Sequence, residues 1–465
     1  MNIDTTIPGR SAEFVEPDIS AAMGTAGVVA VVGVFEKGDE NTPYFARNAN
    51  EALDIVGNDP AFPGSSIIPL IFKPDTDNNN YGATSAILIN AGARTVASCV
   101  LVDTTTDPAP VTVMTLYAKG GAWANDLTIT IAAGSIAGKK VTIMNGTEVI
   151  ETWDNLADAT AVYNKIKSHS SVIESITVGD LTKTLKDVTT SAFSGGTETA
   201  DPSTSELSEA LVEIQNESYD ILVFTDLLDE AYIPTVEQYL QDRFEADNAS
   251  GTIIGMDKDN TVTQARTLSL ANDSLFIFGL TYQTFIMGTV ELNEAETAAR
   301  YAGYVAGMNV SESPTNKTIS DVTGLNQTFQ PGSSDEYALA DAGVTVFKLK
   351  NRKNSKYGVL SAVTTNQETD NTGKKINELV TARTLLFVTN YMDVKDYPGA
   401  TRSAGALLGL ATQRKNNLID DNIVQEMEIT LERSTSDSQV LNMDISVKVQ
   451  DVVKHVHKRI KNIVG

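Results

Sequence analysis

The chain has 465 residues, of which 42 % are hydrophobic and 20 % are charged, and its formal net charge is −25. A chain of this length exceeds one ordinary core, so we expect roughly two to four domains. The negative charge argues against nucleic acid or an anionic membrane as a general partner. The single cysteine, Cys99, excludes an internal disulfide framework and favours a reducing compartment.

Residues 1–20 predict an extended N-terminal arm, because Pro8, Gly9 and Pro17 interrupt them and no helical period is present. The apolar run that follows ends at Phe35 and is shorter than the roughly 20 residues needed to span a bilayer. It predicts a buried strand instead. The amino terminus lacks the basic segment of a secretory signal, so we expect assembly in the cytoplasm.

The N-terminal part of a core domain is predicted over residues 21–105. Its predicted elements are a strand over Gly27–Phe35, a helix over Phe45–Val56, a short apolar segment over Ile67–Phe72, and strands over Ala86–Asn90 and Thr95–Val102. Cys99 lies inside the last apolar run, which favours buried packing over a role as a nucleophile.

An inserted, β-rich α+β domain is predicted over residues 106–200, after a Thr/Asp/Pro linker. The turn Asn145-Gly146 predicts a hairpin. The predicted elements of this domain are strands over Leu127–Ala132, Lys140–Met144 and Thr147–Trp153 and a helix over Ala157–Ser168.

Helices alternate with apolar strands over residues 201–345, which predicts an α/β sandwich domain. The predicted helices are Ser205–Glu217, capped by Ser203 or Thr204, Pro234–Ala246 and Glu294–Met308; the strands are Ile221–Phe224, Thr252–Gly255 and Leu275–Gly279. Gly303 and Gly307 predict a close helix contact.

The C-terminal part of the core domain is predicted over residues 346–439. We predict strands over Leu339–Phe347, Tyr357–Val363 and Leu385–Asn390 and a helix over Ala404–Lys415. The expected fold class is therefore multidomain α/β and α+β, with a mixed-sheet core built from both chain ends, inserted domains and extended terminal arms.

Residues 440–465 predict a C-terminal arm that consists of a strand followed by a helix. Apolar and polar residues alternate along the strand, which gives it one buried and one solvated face. The apolar residues are Leu441, Met443, Ile445, Val447 and Val449. Basic side chains accompany the helical stripe that follows; they include Lys454, Lys458, Arg459 and Lys461. Two interpretations stay open: the arm closes its own domain, or it binds another molecule with an acidic surface.

No catalytic or cofactor site is evident in the sequence. His455 and His457 lie two residues apart, on different faces of a helix, and His169 stands alone. Gly134 to Lys139 is one residue short of a phosphate-binding loop and predicts a hairpin turn. Asp75 and Asp77 begin a polar loop that lacks the glutamate of a calcium loop, which favours a solvated loop. We expect no enzyme activity, cofactor or metal.

Several short motifs, in this order along the chain, resemble the contractile tail sheath family of phage tails, R-type bacteriocins and related contractile injection systems. They are Pro8-Gly9 with Phe14-Val15-Glu16, Thr25 to Gly33 with Phe35-Glu-Lys-Gly38, Gly121-Ala-Trp123-Ala-Asn125, Phe193-Ser-Gly-Gly196, Ala298 to Gly307, Leu339-Ala-Asp-Ala-Gly343 and Ala382-Arg383-Thr384-Leu385. Ala124 replaces the family's usual glycine, and Val380-Thr381 stands where a tryptophan often precedes the last motif.

The resemblance implies a structural subunit of a contractile tail sheath. Such subunits polymerise helically around an inner tube and contract to drive it through a target envelope. Their terminal arms add strands to neighbouring subunits, which assigns inter-subunit contacts to Phe14 and Val15 and to the alternating residues of the C-terminal strand. The basic terminal helix would contact the tube. Implied partners are further copies of the chain, the inner tail tube protein, and baseplate and tail terminator proteins, with no nucleic acid or membrane.

Three alternatives stay open. A sheath of a type VI secretion-like machine is normally split into two chains, and this is one chain. An α/β hydrolase-like enzyme would need a base beside a nucleophile, and three histidines leave few candidates. A self-assembling surface or shell protein would need an export signal.

Overall fold

The computed structural model describes residues 27–105, 109–198, 201–330, 332–351, 356–370, 373–392, 404–433 and 441–449. Within these ranges the strands are β1 Val28–Gly33, β2 Pro43–Ala46, β3 Ser85–Asn90, β4 Arg94–Thr95, β5 Ser98–Val102, β6 Thr112–Ala118, β7 Leu127–Ala133, β8 Lys139–Asn145, β9 Glu148–Leu156, β10 Ile173–Val178, β11 Val188–Ala192, β12 Thr197–Glu198, β13 Ile221–Phe224, β14 Gly251–Gly255, β15 Ile277–Thr281, β16 Phe285–Met287, β17 Val290–Glu291, β18 Gly324–Leu325, β19 Val344–Asn351, β20 Lys356–Ser361, β21 Glu426–Arg433 and β22 Leu441–Lys448.

The α-helices of the described ranges lie between these strands. They are α1 Ala49–Val56, α2 Pro63–Ile71, α3 Ala159–His169, α4 Thr204–Glu213, α5 Ile233–Glu245, α6 Val262–Ala271, α7 Glu294–Ala306, α8 Ser334–Asp341, α9 Leu379–Tyr391 and α10 Ala404–Asp420. None of the helices in the described part of the chain has the length and apolarity needed to span a bilayer.

An eight-stranded sheet forms the centre of the protein, with the strand order β2-β3-β1-β13-β14-β15-β19-β20. Its six inner strands are parallel, and the two outer strands, β2 and β20, are antiparallel to their neighbours. The strands of a parallel sheet are covered by helices on both faces, so their sequences are continuous apolar runs. This explains why residues 28–33 and 221–224 are apolar throughout.

Successive residues of the inner strands face opposite sides of the sheet, and each side has its own core. Val29 and Val31 pack with the apolar faces of α1, α2, α7 and the first half of α9. Ala30 and Val32 pack on the other side with α4, α5, α6 and α8. The sheet is thus the middle layer of a three-layer α/β sandwich.

The sheet crosses the predicted domain boundaries. Strands from residues 28–90, 221–281 and 344–361 are hydrogen-bonded neighbours in it. Residues 201–345, expected as a domain of their own, therefore supply central strands to the same sheet as residues 21–105. The parallel pairing of β1 with β13 causes this, because it joins segments that are almost 200 residues apart.

The inserted unit lies outside this sheet and has its own apolar core. It consists of a three-stranded sheet, β10-β6-β5, a four-stranded sheet, β11-β7-β8-β9, and helix α3. The predicted hairpin at Asn145-Gly146 is present, since β8 and β9 pair with Asn145 opposite Glu148. The unit includes β5 and so begins earlier than the expected residue 106.

Three predicted elements differ from the structure. Phe45 lies in β2, and the helix begins only at Ala49, because Asn48 caps it by accepting from the Glu51 backbone N–H. Residues 385–390 belong to α9 rather than to a strand. The apolar segment over Ile67–Phe72, for which no element type was predicted, lies mostly in α2. Residues 339–341 end α8, and β19 starts at Val344. Short apolar runs do not distinguish a buried strand from a buried helix.

Candidate assembly site

The C-terminal ribbon, which we define as β21 and β22, is a separate two-stranded antiparallel sheet. Its register is regular from Glu426 opposite Lys448 to Arg433 opposite Leu441. Among the described residues neither strand has a second neighbour, so both outer edges carry backbone groups without a partner strand. Such edges accept further strands readily.

Strand β22 shows the predicted alternation. Met443, Ile445 and Val447 are half-buried, whereas Asp444, Ser446 and Lys448 are exposed. The half-buried residues pack against a small apolar cluster formed by the end of α9, by α10 and by Met427 of β21. One face of the ribbon is therefore covered by the protein's own helices.

The opposite face of the ribbon is exposed and mainly acidic. Glu426, Glu428 and Glu432 of β21 are exposed on this face together with Asp444 of β22. Lys448 forms an ion pair with Glu426 at 3.1 Å, and both side chains are largely exposed. Exposed pairs of this kind contribute about 0–1 kcal/mol, so the ribbon depends on its apolar face for its position.

Helix α9 connects the ribbon to the central sheet. Leu379, Ala382 and Leu386 pack in the main core, while Val388 and Met392, which follows the helix, belong to the cluster beneath the ribbon. One rigid helix therefore contacts both cores. A displacement of the ribbon relative to the sheet must bend or move this helix.

Arg383 of the Ala-Arg-Thr-Leu motif is buried at the amino ends of the central strands. Its Nη2 donates to the Met308 carbonyl oxygen at 3.4 Å. Burial lowers the pKa of Arg383 to about 10, and the Asp220 carboxylate opposes this shift. Burial raises the pKa of Asp220, whose Oδ2 accepts from the Val28 backbone N–H at 2.9 Å. The motif thus fixes α9 to the start of the sheet, an interior role that the sequence did not indicate.

The structure brings together only part of the predicted site. Met443, Ile445 and Val447 share one face of β22, Leu441 begins the same strand, and Val449 follows it. This strand pairs with β21 of its own chain, so one of its edges closes its own domain. The other predicted contact residues lie outside the described residues; they are Phe14, Val15, Lys454, Lys458, Arg459 and Lys461.

The partner strand β21 is a feature that the sequence analysis missed. Its residues Met427, Ile429 and Leu431 alternate with polar ones, and their burial alternates in the same way. This is the period-two pattern of a half-buried strand, and it was available in the sequence. Recognising it would have predicted a hairpin rather than a single terminal strand.

Other features weighed in the sequence have structural roles. The Gly134 backbone N–H donates to the Gly138 carbonyl oxygen at 2.9 Å in the turn between β7 and β8, which confirms the hairpin. Asp75 is buried, and its Oδ2 accepts from the Ser320 backbone N–H at 2.8 Å. Cys99 is buried, and burial raises the pKa of its thiol. The described residues contain no group of three or more metal-ligating side chains.

A crevice lies at the carboxyl ends of β1 and β13, where the strand order of the sheet reverses. Open α/β sheets bind ligands at such points. The crevice has a volume of about 410 Å³, and its lining includes Asp201, Thr225, Asp226 and Asp229. Burial raises the pKa of Asp226. No histidine or cysteine is among the described residues that line it.

Comparisons with solved structures show the fold. A sheath tail protein from Listeria innocua superimposes with a TM-score of 0.73 at 14 % identity, over 93 % of this chain and 94 % of its own. A sheath tail protein from Desulfitobacterium hafniense gives a TM-score of 0.66 at 14 % identity, over 97 % and 100 %. The contracted helical sheath of the anti-feeding prophage gives 0.52 at 9 % identity, over 98 % and 99 %.

No protein-family model and no curated protein matches the sequence. At identities this low the likeness establishes the fold. The chain has the multidomain fold of sheath tail proteins, which confirms the fold implied by the short motifs.

Proposed function

We propose that the chain is a structural subunit of a contractile tail sheath, which polymerises helically around an inner tube and contracts to drive it through a target envelope. The observation that carries this proposal is the structural likeness to two sheath tail proteins, which covers 93 % and 97 % of this chain. The third neighbour is itself a helical sheath in a contracted state. A shared hydrolase domain would have matched one part of the chain only.

The C-terminal ribbon supports self-assembly by strand addition. The two outer edges of the ribbon have no partner strand among the described residues, and each is about eight residues long. They give room for a strand from each of two neighbouring copies. Main-chain hydrogen bonds would supply the affinity, and the alternating side chains would set the register. We assign one added strand to the N-terminal arm of a neighbour, around Phe14 and Val15. The C-terminal strand, Leu441 to Val449, is the corresponding contact of this chain.

Contact with the inner tube is assigned to the basic end of the chain, Lys454, Lys458, Arg459 and Lys461. Exposed charge contacts are individually weak and salt-dependent, which suits a surface that must release and rebind the tube while the sheath shortens. Further partners in this proposal are baseplate and tail terminator proteins; one structural neighbour is described as the anti-feeding prophage baseplate in its contracted state.

No nucleotide or other cofactor enters this mechanism. The contracted state would be the lower in free energy because it buries more surface between subunits, at about 25 cal/mol per Å² of apolar area. Assembly in the extended form then stores the energy that contraction releases. The subunit has a structural and not an enzymatic role.

Electron microscopy of the purified chain tests the proposal. We expect hollow striated tubes from the full chain and monodisperse particles from a variant that lacks residues 440–465, while circular dichroism shows that the truncated chain keeps its helices. Tubes from the truncated chain would refute assembly through the C-terminal arm. Absence of polymers from the full chain at every salt and protein concentration would contradict the sheath proposal itself.

Charge reversal separates tube binding from sheath assembly. We expect the triple change of Lys454, Lys458 and Lys461 to glutamate to reduce co-purification with a co-expressed inner tube protein while sheath polymers still form. The matched control replaces three exposed lysines of the inserted unit by glutamate and so changes the net charge by the same amount. These lysines are Lys140, Lys183 and Lys186. Equal tube binding by both variants would show that the basic end does not contact the tube.

A further inference from the structure

The inserted unit joins the central sheet through a neck, which we define as β4 and β12. Thr197 pairs with Thr95, and Glu198 pairs with Arg94, in antiparallel register. The chain passes between the sheet-bearing body and the inserted unit twice, and the two connecting segments thus lie side by side. Any rotation of the inserted unit relative to the sheet must act on this pair of short strands.

Two glycines allow the neck to close. Asn125 Nδ2 donates to the Gly196 carbonyl oxygen at 2.8 Å, and the Gly196 N–H donates to Asn125 Oδ1 at 2.9 Å. A Cβ atom at Gly121 would lie 2.5 Å from Cγ of Glu198, and one at Gly196 would lie 2.8 Å from the carbonyl carbon of Gly121. The backbone at Gly121 thus touches the segment that contains Gly196 and Glu198. By opening of the neck we mean that β12 moves away from Gly121, which separates Gly121 from Glu198.

In this contact the Glu198 carboxylate accepts fewer hydrogen bonds than its two oxygens require. Its Oε1 accepts from the Gly121 backbone N–H at 3.2 Å, whereas its Oε2 is buried and has no hydrogen-bond partner among the described residues. Burial raises the pKa of Glu198 to about 7; Glu36 adds to the shift, and the Gly121 N–H and Arg94 oppose it. In the closed neck the carboxyl group is therefore mostly protonated below about pH 7 and about half protonated at pH 7.

Arg94 does not neutralise Glu198 because other acceptors engage its guanidinium. It donates to the Gly38 carbonyl oxygen and to Asp39 Oδ1, the latter at 2.7 Å, and lies 3.5 Å from Glu174. Asp39 belongs to the sheet-bearing body and Glu174 to the inserted unit, so Arg94 bridges the two bodies. Lys37 Nζ of the sheet-bearing body also lies 5.4 Å from the ring centroid of Trp123 in the inserted unit.

We propose that Glu198 is a proton-controlled latch, which keeps the inserted unit docked on the sheet while its carboxyl group is protonated and releases the neck when it ionises. An ionised carboxylate requires hydrogen-bond donors, and Oε2 has none among the described residues, so ionisation favours a state in which water reaches this oxygen. Water reaches Oε2 when β12 separates from Gly121. The latch is a property of the single chain and goes beyond the proposed sheath function.

The direction of the pH effect follows from proton linkage. The closed neck binds the Glu198 proton with a pKa of about 7, against the ordinary value of 4.5 for an exposed glutamate. The contribution of the proton to closure is complete below about pH 4.5 and is lost as the pH rises to about 7. The opening equilibrium constant should therefore rise by up to about tenfold per pH unit across this window and level off above it.

Hydrogen exchange of the full chain tests the latch. Peptides that cover residues 94–98, 119–126 and 194–198 are followed from pH 5 to pH 8.5, and rates are corrected for the intrinsic pH dependence of exchange. We expect corrected exchange at the neck to rise up to about pH 7 in the wild type and to stay at its low-pH level in Glu198→Gln. Glu209→Gln, at an exposed position on α4, is the matched control and should keep the wild-type profile.

Glu198→Ala provides a second variant without a titrating group, in case the glutamine disturbs the neck. Its neck exchange should be independent of pH after correction, whatever its absolute level. A wild-type profile without a rise, or the same rise in both Glu198 variants, would overturn the latch.

Discussion

Helices α2 and α7 approach each other so closely that one of their contact positions must be glycine. A Cβ atom at Gly303 would lie 2.6 Å from both the carbonyl carbon and Cα of Ile71, and closer still to its oxygen. Carbon atoms in contact normally lie about 3.5–4.0 Å apart. Gly303→Ala therefore requires the two helices to separate by roughly 1 Å.

The free energy of unfolding should fall because backbone atoms cannot rotate away from the new methyl group. Overpacking typically destabilises by about 1–3 kcal/mol, and a backbone contact places this site at the upper end. Replacing a helical glycine by alanine also stabilises the helix by about 1 kcal/mol, because alanine has the higher helix propensity. We expect a net loss of about 2 kcal/mol for Gly303→Ala.

Thermal unfolding, followed by circular dichroism and calorimetry, measures this effect. The control is Gly409→Ala in α10, where a Cβ atom would meet nothing within 4 Å. That variant should gain about 0.4–1 kcal/mol, since it restricts the unfolded chain without a clash. If Gly303→Ala unfolded at or above the wild-type temperature while the control gained stability, the close-packing argument would be wrong.

Two further predictions concern hydrogen-bonded polar side chains. Asn125→Ala removes both hydrogen bonds to the Gly196 backbone and should destabilise the inserted unit by about 1–3 kcal/mol, which limited proteolysis at the neck will detect. Asp321→Ala removes the carboxylate that accepts from Nε and Nη2 of the buried Arg300, each at 3.0 Å. Leaving that charge unpaired should cost about 3–5 kcal/mol in calorimetry, whereas Asp335→Ala on the exposed start of α8 should be within about 1 kcal/mol of the wild type.

Much of the local structure follows from the sequence because its causes are local. Ser203, one of the two caps predicted for α4, accepts from the Glu206 backbone N–H three residues later. The alternation along β22 survives in its burial pattern. The collinear short motifs led to the fold that the structural comparisons confirm.

The assignment of residues 385–390 to a strand failed for a tertiary reason. Helix α9 lies between the main core and the cluster beneath the ribbon, and all of its residues are buried or half-buried, so it has no exposed polar face. A helix without a polar face has lost the period that identifies it. For the same reason the sequence showed Arg383 only as part of a motif and did not indicate that its side chain is buried.

By itself the sequence determined which segments are apolar, where most helices begin, that an inserted unit interrupts the core, and that the chain belongs to the α/β class. The tertiary structure alone decided that residues 28–33 and 221–224 are neighbouring parallel strands, that β22 pairs with β21, and that Glu198 faces Gly121 at the neck. Local sequence patterns indicate which residues of a segment are buried and which are exposed to solvent. Contacts between distant segments depend instead on how complete layers pack, which no single window of sequence contains.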